Sequence, residues 1–458
     1  SLGHQVSVIM PAHRSVLRGR IPFEGTGIHF AVPIADRTEE GELLRAKIGE
    51  NVPVYFIRAD RYFDRAQLYT TPEGDYPDNA ERFIFFARAA LEALRRIGPA
   101  HVLHAHDWQA ALAIALVKAQ PEVYAEISAL RTVLTVHNLG YQGLFGPENW
   151  PLLNLDWSFF TSRHLEFYGH INFLKGGLTW ADALTTVSPT YAREIRTAEH
   201  GFGLDGVFEE RAADLTGILN GADYGVWNPA TDPFLAATYS PVDVSGKQQC
   251  KADLQHLLGL DESPDVPLVG MVSRLAIQKG FDLVQAAFDE LLSRDLQFAL
   301  LGSGEPGYEE FFRDACARYP GKAAVRITFD EGLAHKIEAG ADLFLMPSRY
   351  EPSGLNQLYS LKYGTIPVVR ATGGLKDSVE DFDPATGKGT GFLFEPYDAA
   401  ALVTTMDRAL AAFHHTEQWA ALLGNAMAVD YSWNRSAREY LRLYRSIIEG
   451  SAARAEVS

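Results

Sequence analysis

The stretch Arg349-Tyr350-Glu351-Pro352-Ser353-Gly354-Leu355-Asn356-Gln357-Leu358-Tyr359-Ser360-Leu361-Lys362-Tyr363-Gly364 sets an acid, a glycine turn and a helix start side by side. The apolar run before it, Ala341 to Met346, reads as a buried strand, Pro347 to Gly354 as the loop leaving it, and Leu355 to Tyr363 as a helix. Backbone amides at such a helix start face an anion, and an adjacent acid accepts hydrogen bonds from hydroxyls. The stretch therefore has the build of a site that grips a sugar next to phosphate. Glu351 also suits a helix N-terminus as an acid stabilised by the dipole, and the two roles are compatible.

Working outward, short apolar runs rich in β-branched residues alternate with amphipathic stretches, the pattern of parallel sheets covered by helices on both faces. Strands are predicted at Val6–Met10, Val102–His104, Val133–Val136, Ala183–Val187 and Gly217–Leu219, then at Pro267–Val272, Phe298–Leu301, Ala324–Thr328, Ala341–Met346 and Ile366–Val369. Helical spacing marks Ala80–Arg96, Gln109–Ala119 and Phe281–Arg294. The chain has 458 residues, more than one core usually supports, so two domains of about 200 residues each are expected. The fold class expected is α/β: two doubly wound Rossmann-like domains facing a central cleft, where the carboxyl edges of both sheets meet ligand. We place the first domain at residues 1–228 and a proline-marked linker at 229–246, carrying Pro229, Pro233 and Pro241. A second domain is placed at 247–430, followed by a terminal helical segment at 431–458.

Apolar residues make up 47% and charged residues 22% of the chain, ordinary values for a globular protein. The formal charge of −17 argues against nonspecific nucleic-acid binding, which rests on basic contacts with phosphate. A neutral polysaccharide suits that charge, and a nucleotide donor would need its own local cations. Cys250 and Cys316 share no metal-site or disulfide spacing. No apolar run approaches the ~20 residues of a membrane helix, so no membrane partner is expected and the location expected is cytoplasmic.

Breaking a sugar–phosphate bond leaves negative charge on the departing diphosphate, which placed cations stabilise. Arg274 and Lys279 follow the predicted strand Pro267–Val272 in a Ser-Arg-Leu-x-x-Gln-Lys-Gly turn, at the sheet's carboxyl edge. His137 and Asn138 end another strand before a glycine-punctuated loop, a position equally open to a histidine bonded to local backbone. His104, His106 and Asp107 alternate after a strand as metal ligands sometimes do, but no second cluster supplies further ligands, and no metal is expected. Asn220 ends the predicted strand Gly217–Leu219 and is either a cleft residue or part of an Asn-Gly turn. Thr372-Gly373-Gly374 is a glycine turn before a helix, suited to phosphate or to a plain turn.

Taken in order, His104-Ala105-His106-Asp107-Trp108, Thr135-Val136-His137-Asn138-Leu139-Gly140-Tyr141-Gln142-Gly143, Thr186-Val187-Ser188-Pro189-Thr190-Tyr191, Gly217-Ile218-Leu219-Asn220-Gly221, Val272-Ser273-Arg274-Leu275 with Gln278-Lys279-Gly280, the stretch around Glu351, and Thr372-Gly373-Gly374-Leu375 resemble segments of the starch and bacterial glycogen synthases. The resemblance covers nearly the whole chain and implies the glycosyltransferase-B fold, with the last helix crossing back onto the first domain. It also implies that Gly3 to Pro11 is similar to the family's second strand, so that a first strand, a Lys-x-Gly-Gly loop and a helix are lacking from this chain.

For the site, the resemblance implies that Glu351 meets glucose hydroxyls while Ser353, Gly354 and Leu355 hold other hydroxyls and a phosphate oxygen. His137 is placed against the transferred glucose, Asp107 is read as a sugar-binding acid above Trp108, and Phe329 as an aromatic near adenine, with core packing its alternative. Tyr359 is assigned to the substrate site, where more distant relatives carry a second acid for ribose. The activity implied is that of a retaining glucosyltransferase of glycogen biosynthesis, moving glucose from ADP-glucose to the non-reducing end of an α-1,4-glucan. ADP-glucose would be a co-substrate, and no cofactor is expected. A related enzyme using UDP-glucose or another acceptor, and an inactive glucan-binding scaffold, are the alternatives. A phosphorylase is disfavoured, because no lysine motif for a pyridoxal phosphate Schiff base stands out.

Overall fold

The computed structural model describes residues 2–19, 21–49, 51–71 and 73–455. The chain divides into two compact units. Ser1–Thr186, Ile195–Thr216 and Leu441–Ser458 form the first, and Val187–Glu194 with Gly217–Tyr440 form the second.

The first unit carries two four-stranded sheets. One holds β1 (Val8–Pro11), β2 (Glu24–Ile34), β3 (Arg37–Ile48) and β4 (Val52–Arg58) in the order β1-β4-β3-β2. β1 runs parallel to β4, while β2, β3 and β4 form an antiparallel meander. The meander is absent from the sequence-based expectation, and the reason is its pattern. Phe30, Val32 and Ile34 are buried while His29, Ala31 and Pro33 between them are exposed, the period-two signature of a strand wet on one face. It lacks the unbroken apolar runs by which the parallel strands were recognised.

The other sheet is built from β5 (Val102–His106), β6 (Arg131–Val136), β7 (Ala183–Thr186) and the edge strand β8 (Leu215–Gly217), in the order β8-β7-β6-β5. β5, β6 and β7 are parallel, as expected. Strand β8 starts and stops two residues earlier than predicted, which leaves Asn220 three residues past its end. Two helices pack on each other and on these sheets: α1 (Asn79–Ile97) against β1 and β2, and α2 (Asp107–Ala119) against β5 and β6. Ala111 through Val117 of α2 are all buried, as befits a helix apolar all round.

His13, just past β1, is 8% exposed, its ring edge-on to Phe63 with centroids 5.6 Å apart. Burial, helped by the nearby Arg82 charge, pushes its imidazole down to about 4. Between that value and the ordinary 6.5 the unfolded chain binds a proton that the folded chain refuses, so stability falls as pH drops through this window. The loss attributable to His13 should approach about 3 kcal/mol by pH 4. Urea unfolding of wild type and His13→Asn across pH 4–7 should show a shallower acid limb in the variant; parallel limbs would contradict this.

In the second unit, α3 (Ser245–Leu258) precedes a six-stranded sheet of β9 (Leu268–Val272), β10 (Gln297–Leu301), β11 (Ala323–Arg326), β12 (Leu343–Met346), β13 (Ile366–Arg370) and β14 (Phe392–Phe394). Every pairing is parallel, in the order β11-β10-β9-β12-β13-β14. Two separate apolar clusters take alternate residues of the same strands: Val269 and Met271 lie in one, Leu268 in the other. The sheet is thus covered on both faces, which is why its strands read as continuous apolar runs. Helices α4 (Phe281–Leu292), α5 (Glu331–Gly340) and α6 (Asn356–Tyr363) follow β9, β11 and β12.

The stretch 229–246, expected as a linker, is counted in the second unit. Asp232 and Tyr239 are buried there, with His335 Nδ1 at 2.6 Å and Tyr363 Oη at 2.5 Å from Asp232 Oδ2, and with Tyr239 Oη donating to Tyr363 O at 2.8 Å. Its prolines shape a coil that is held by side chains rather than free. The last helix, α7 (Trp433–Ala455), is divided between the units after Tyr440. Both cysteines are buried free thiols, and no helix among the described residues is long and apolar enough to cross a membrane.

Candidate active site

In the second unit the strand order reverses between β9 and β12, the point at which parallel sheets of this kind bind ligand beyond their carboxyl ends. The loops that leave these two strands carry Arg274 with Lys279 and Ser348 with Glu351. Both loops line a cavity of about 870 Å³.

Lys279 Nζ donates to Glu351 Oε2 at 2.6 Å, and Ser348 Oγ donates to the same oxygen at 3.0 Å. Glu351 is 5% exposed, so its charge is held by a partner and a hydroxyl, as a buried carboxylate requires. Two backbone approaches bring the pair together. Arg349 N donates to Gln278 O at 2.9 Å, and Gly280, at φ 78°, lies so close to Pro347 that a β-carbon there would overlap the Pro347 carbonyl. Arg274 is exposed on the same wall, its Nη2 at 3.3 Å from Gln278 Oε1.

Gly354, Leu355 and Asn356 bring the start of α6 to the cavity. No side chain caps this helix, which leaves its first amides without a side-chain acceptor. Ser353 is 8% exposed, and its hydroxyl lies 3.2 Å from Gly354 O. The Thr372-Gly373-Gly374 turn has a packing role. A β-carbon at Gly373 or Gly374 would overlap the Glu351 or Ser353 carbonyl, and Gly374 N donates to Glu351 O at 3.0 Å. This turn buttresses the acid's loop from behind.

Phe329 is 91% exposed and lines the cavity, so core packing is not its role. Tyr359 differs from expectation: its ring stacks on Trp227, with centroids 4.1 Å apart and planes 3° from parallel, and it is not among the cavity-lining residues. Trp227 lines the cavity in its place, and His335 also stacks on it at 3.7 Å. Asn220 is half-buried and likewise absent from this wall. Trp227, Ser348 and Glu338 are wall residues that sequence reading passed over. Trp227 was hidden in an aperiodic coil just before the stretch taken for a linker, and Glu338 by its place in an apolar-faced helix.

The first unit gathers its own polar cluster where β5 and β6 end. Asp107 has φ 55°, rare for a residue with a β-carbon and a mark of imposed geometry. Its Oδ1 accepts from His137 N at 2.7 Å. Burial raises the Asp107 carboxyl, opposed by the His137 charge and by hydrogen bonds from the backbone of His137 and Asn138. His137 Nε2 lies 3.0 Å from His106 Nδ1. Asn138 turns its Oδ1 onto Gly140 N at 3.0 Å, so that side chain shapes the loop. Trp108 is buried, edge-on to Phe83 at 4.7 Å. His104 sits between Thr135 Oγ1 and Tyr444 Oη, at 2.6 Å from each, a structural placement.

The starch synthase catalytic domain model matches residues 1–210, and the glycosyl transferases group 1 model matches residues 260–421. A glycogen synthase from Koribacter versatilis is 48% identical over 97% of this chain and 91% of its own length. One from an Anaeromyxobacter species is 51% identical over 97% and 92%. The chain belongs to the glycogen and starch synthase family. Its structure is similar, with a TM-score of 0.89 and 33% identity, to the catalytic domain of starch synthase IV from Arabidopsis thaliana bound to ADP and acarbose, covering 98% of this chain and 93% of that one. A sucrose-phosphate synthase from Thermosynechococcus elongatus, at 18% identity and a TM-score of 0.57, shares the fold alone. The fold is therefore the glycosyltransferase-B fold of two Rossmann-like units, and the chain is a glycosyltransferase of the glycogen and starch synthase family.

Proposed function

We propose that this chain is a retaining glucosyltransferase that moves glucose from ADP-glucose to the non-reducing end of an α-1,4-glucan. The observation that carries the reading is the Lys279–Glu351 pair on the cavity wall, beside the uncapped start of α6. It sets a cation, an acid and a fan of amides at one point of the sheet. The starch synthase IV relative, described as bound to ADP and acarbose, supports a nucleotide in such a site and a glucan as the other substrate.

In this reading Arg274, Lys279 and the amides of Gly354 and Leu355 stabilise the diphosphate as the anomeric bond lengthens. Glu351 accepts hydrogen bonds from glucose hydroxyls and opposes the positive charge growing on the sugar ring. Ser353 holds a further hydroxyl, and Phe329 stacks on the base. In the first unit, Asp107, His137 and Asn138 meet the glucan or the transferred glucose, and Asn220 and Tyr359 keep at most indirect roles. The acceptor hydroxyl attacks on the face the diphosphate leaves, passing its proton to a departing phosphate oxygen, so configuration is retained without a glucosyl-enzyme bond. Closure against water would favour transfer over hydrolysis. The cations are supplied by side chains, so the proposal needs no metal or cofactor. A cytoplasmic location is part of this reading.

The test is transfer of radiolabelled glucose to glycogen from ADP-glucose and UDP-glucose in parallel. We expect ADP-glucose to be favoured by at least about tenfold in kcat/KM. Equal use of both donors would overturn the donor assignment, and no transfer from either would leave a glucan-binding scaffold as the better reading.

A further inference from the structure

On α5, Glu331, Ala334 and Glu338 follow at spacings of three and four, one helix face, and all three line the cavity that holds Arg274 and Lys279. Glu338 is 1% exposed. Its Oε2 accepts from Ser360 Oγ at 2.7 Å, while its Oε1 is buried with no hydrogen-bond partner. Lys247, whose charge acts on this carboxyl, makes its hydrogen bonds elsewhere, donating to Ala339 O at 2.9 Å and Thr365 Oγ1 at 2.6 Å. Burial lifts the Glu338 carboxyl to about 8. A carboxyl group kept in such a setting with one oxygen unmatched is costly, and a bound ligand is one way the missing bond is supplied.

The other acids of the wall are either paired or open to solvent. Glu351 holds Lys279 and Ser348, Asp330 caps α5 by accepting from Leu333 N at 2.9 Å, and Glu331 stands in solvent. We propose that Glu338 recognises the ribose hydroxyls of the donor nucleotide, its Oε1 pairing with the vicinal diol after a small side-chain rotation. The inference rests on the nucleotide-sugar reading above. A nucleoside diphosphate with phosphates at Arg274 and Lys279 and its base at Phe329 spans the cavity, and its sugar then passes the α5 wall. A diol brings two O–H donors there; bonding to them favours the charged carboxylate, so below about pH 8 Glu338 gives up its proton on binding and Oε1 becomes the acceptor.

The experiment measures binding of ADP, 2′-deoxy-ADP and 3′-deoxy-ADP by calorimetry, together with donor kinetics, for wild type, Glu338→Gln and Glu331→Gln. We expect wild type to bind ADP about tenfold tighter than at least one deoxy analogue. Glu338→Gln should erase most of that preference and raise KM for the donor while kcat stays within about threefold. Three results would overturn the inference: a wild type indifferent to both hydroxyls, which needs no variant to fold; unchanged preference in Glu338→Gln; or loss of preference in Glu331→Gln. If wild type binds none of the three nucleotides, the donor reading itself fails, a separable outcome.

Discussion

Replacing Glu351 with glutamine should lower glucosyl transfer by about a thousandfold, the scale of losing a preorganised electrostatic contact in the transition state, while ADP binds as well as before. The reason lies in its two partners. Glu351 Oε2 accepts from Lys279 Nζ at 2.6 Å and Ser348 Oγ at 3.0 Å. The amide preserves shape and burial but removes the negative charge that would oppose a cationic sugar. Lys279 then loses its internal counterion and is freer to meet a diphosphate, so ADP affinity should stay level or rise. Lys279→Ala should do the reverse, weakening ADP binding and transfer together. Because the two side chains touch, the double variant should lose less than the sum of the single losses. Calorimetric ADP binding and initial rates of labelled transfer decide the matter; weakened ADP binding in Glu351→Gln with rates intact would break this division of roles.

Gly280→Ala should be a damaging substitution at the cavity despite adding only a methyl group. The residue sits at φ 78°, and an added β-carbon would overlap the Pro347 carbonyl oxygen. An L-residue in that conformation is strained, and the overlap forces the turn away from the β12 loop, together about 3 kcal/mol of stability. The neighbouring Lys279 would move with the turn, so transfer should fall more steeply than stability alone predicts. Urea unfolding with ADP titration tests this: a variant of wild-type stability and ADP affinity would show that the close approach does not set the position of Lys279.

Much of the cavity was legible in the chain. The Ser-Arg-Leu-x-x-Gln-Lys-Gly turn and the stretch around Glu351 each follow an apolar run. Parallel strands covered on both faces announce themselves that way, and residues just past them fall at the carboxyl edge. Phe329, beyond β11, came from the resemblance to the synthases rather than from its pattern. Tyr359 and Asn220 were harder. Tyr359 lies on a helix one turn in, where a neighbour claims the ring, and that neighbour, Trp227, is more than a hundred positions away in a coil without periodicity. Asn220 was placed by a strand boundary, and the boundary came two residues early.

The sequence by itself determined the class of architecture, the order of its parallel strands' loops and the chemical types on them, because periodicity and turn residues act locally and survive without knowledge of neighbours. It also carried the family, since motif order is a property of the chain alone. Only the tertiary structure decided which polar atoms have partners. It paired Lys279 with Glu351, gave the glycine turn at 372–374 a packing role, held the supposed linker to the second unit through Asp232 and Tyr239, and left one oxygen of Glu338 unmatched. Those outcomes depend on side chains brought together from distant positions, and the free energy of a buried polar group is set by what it meets there.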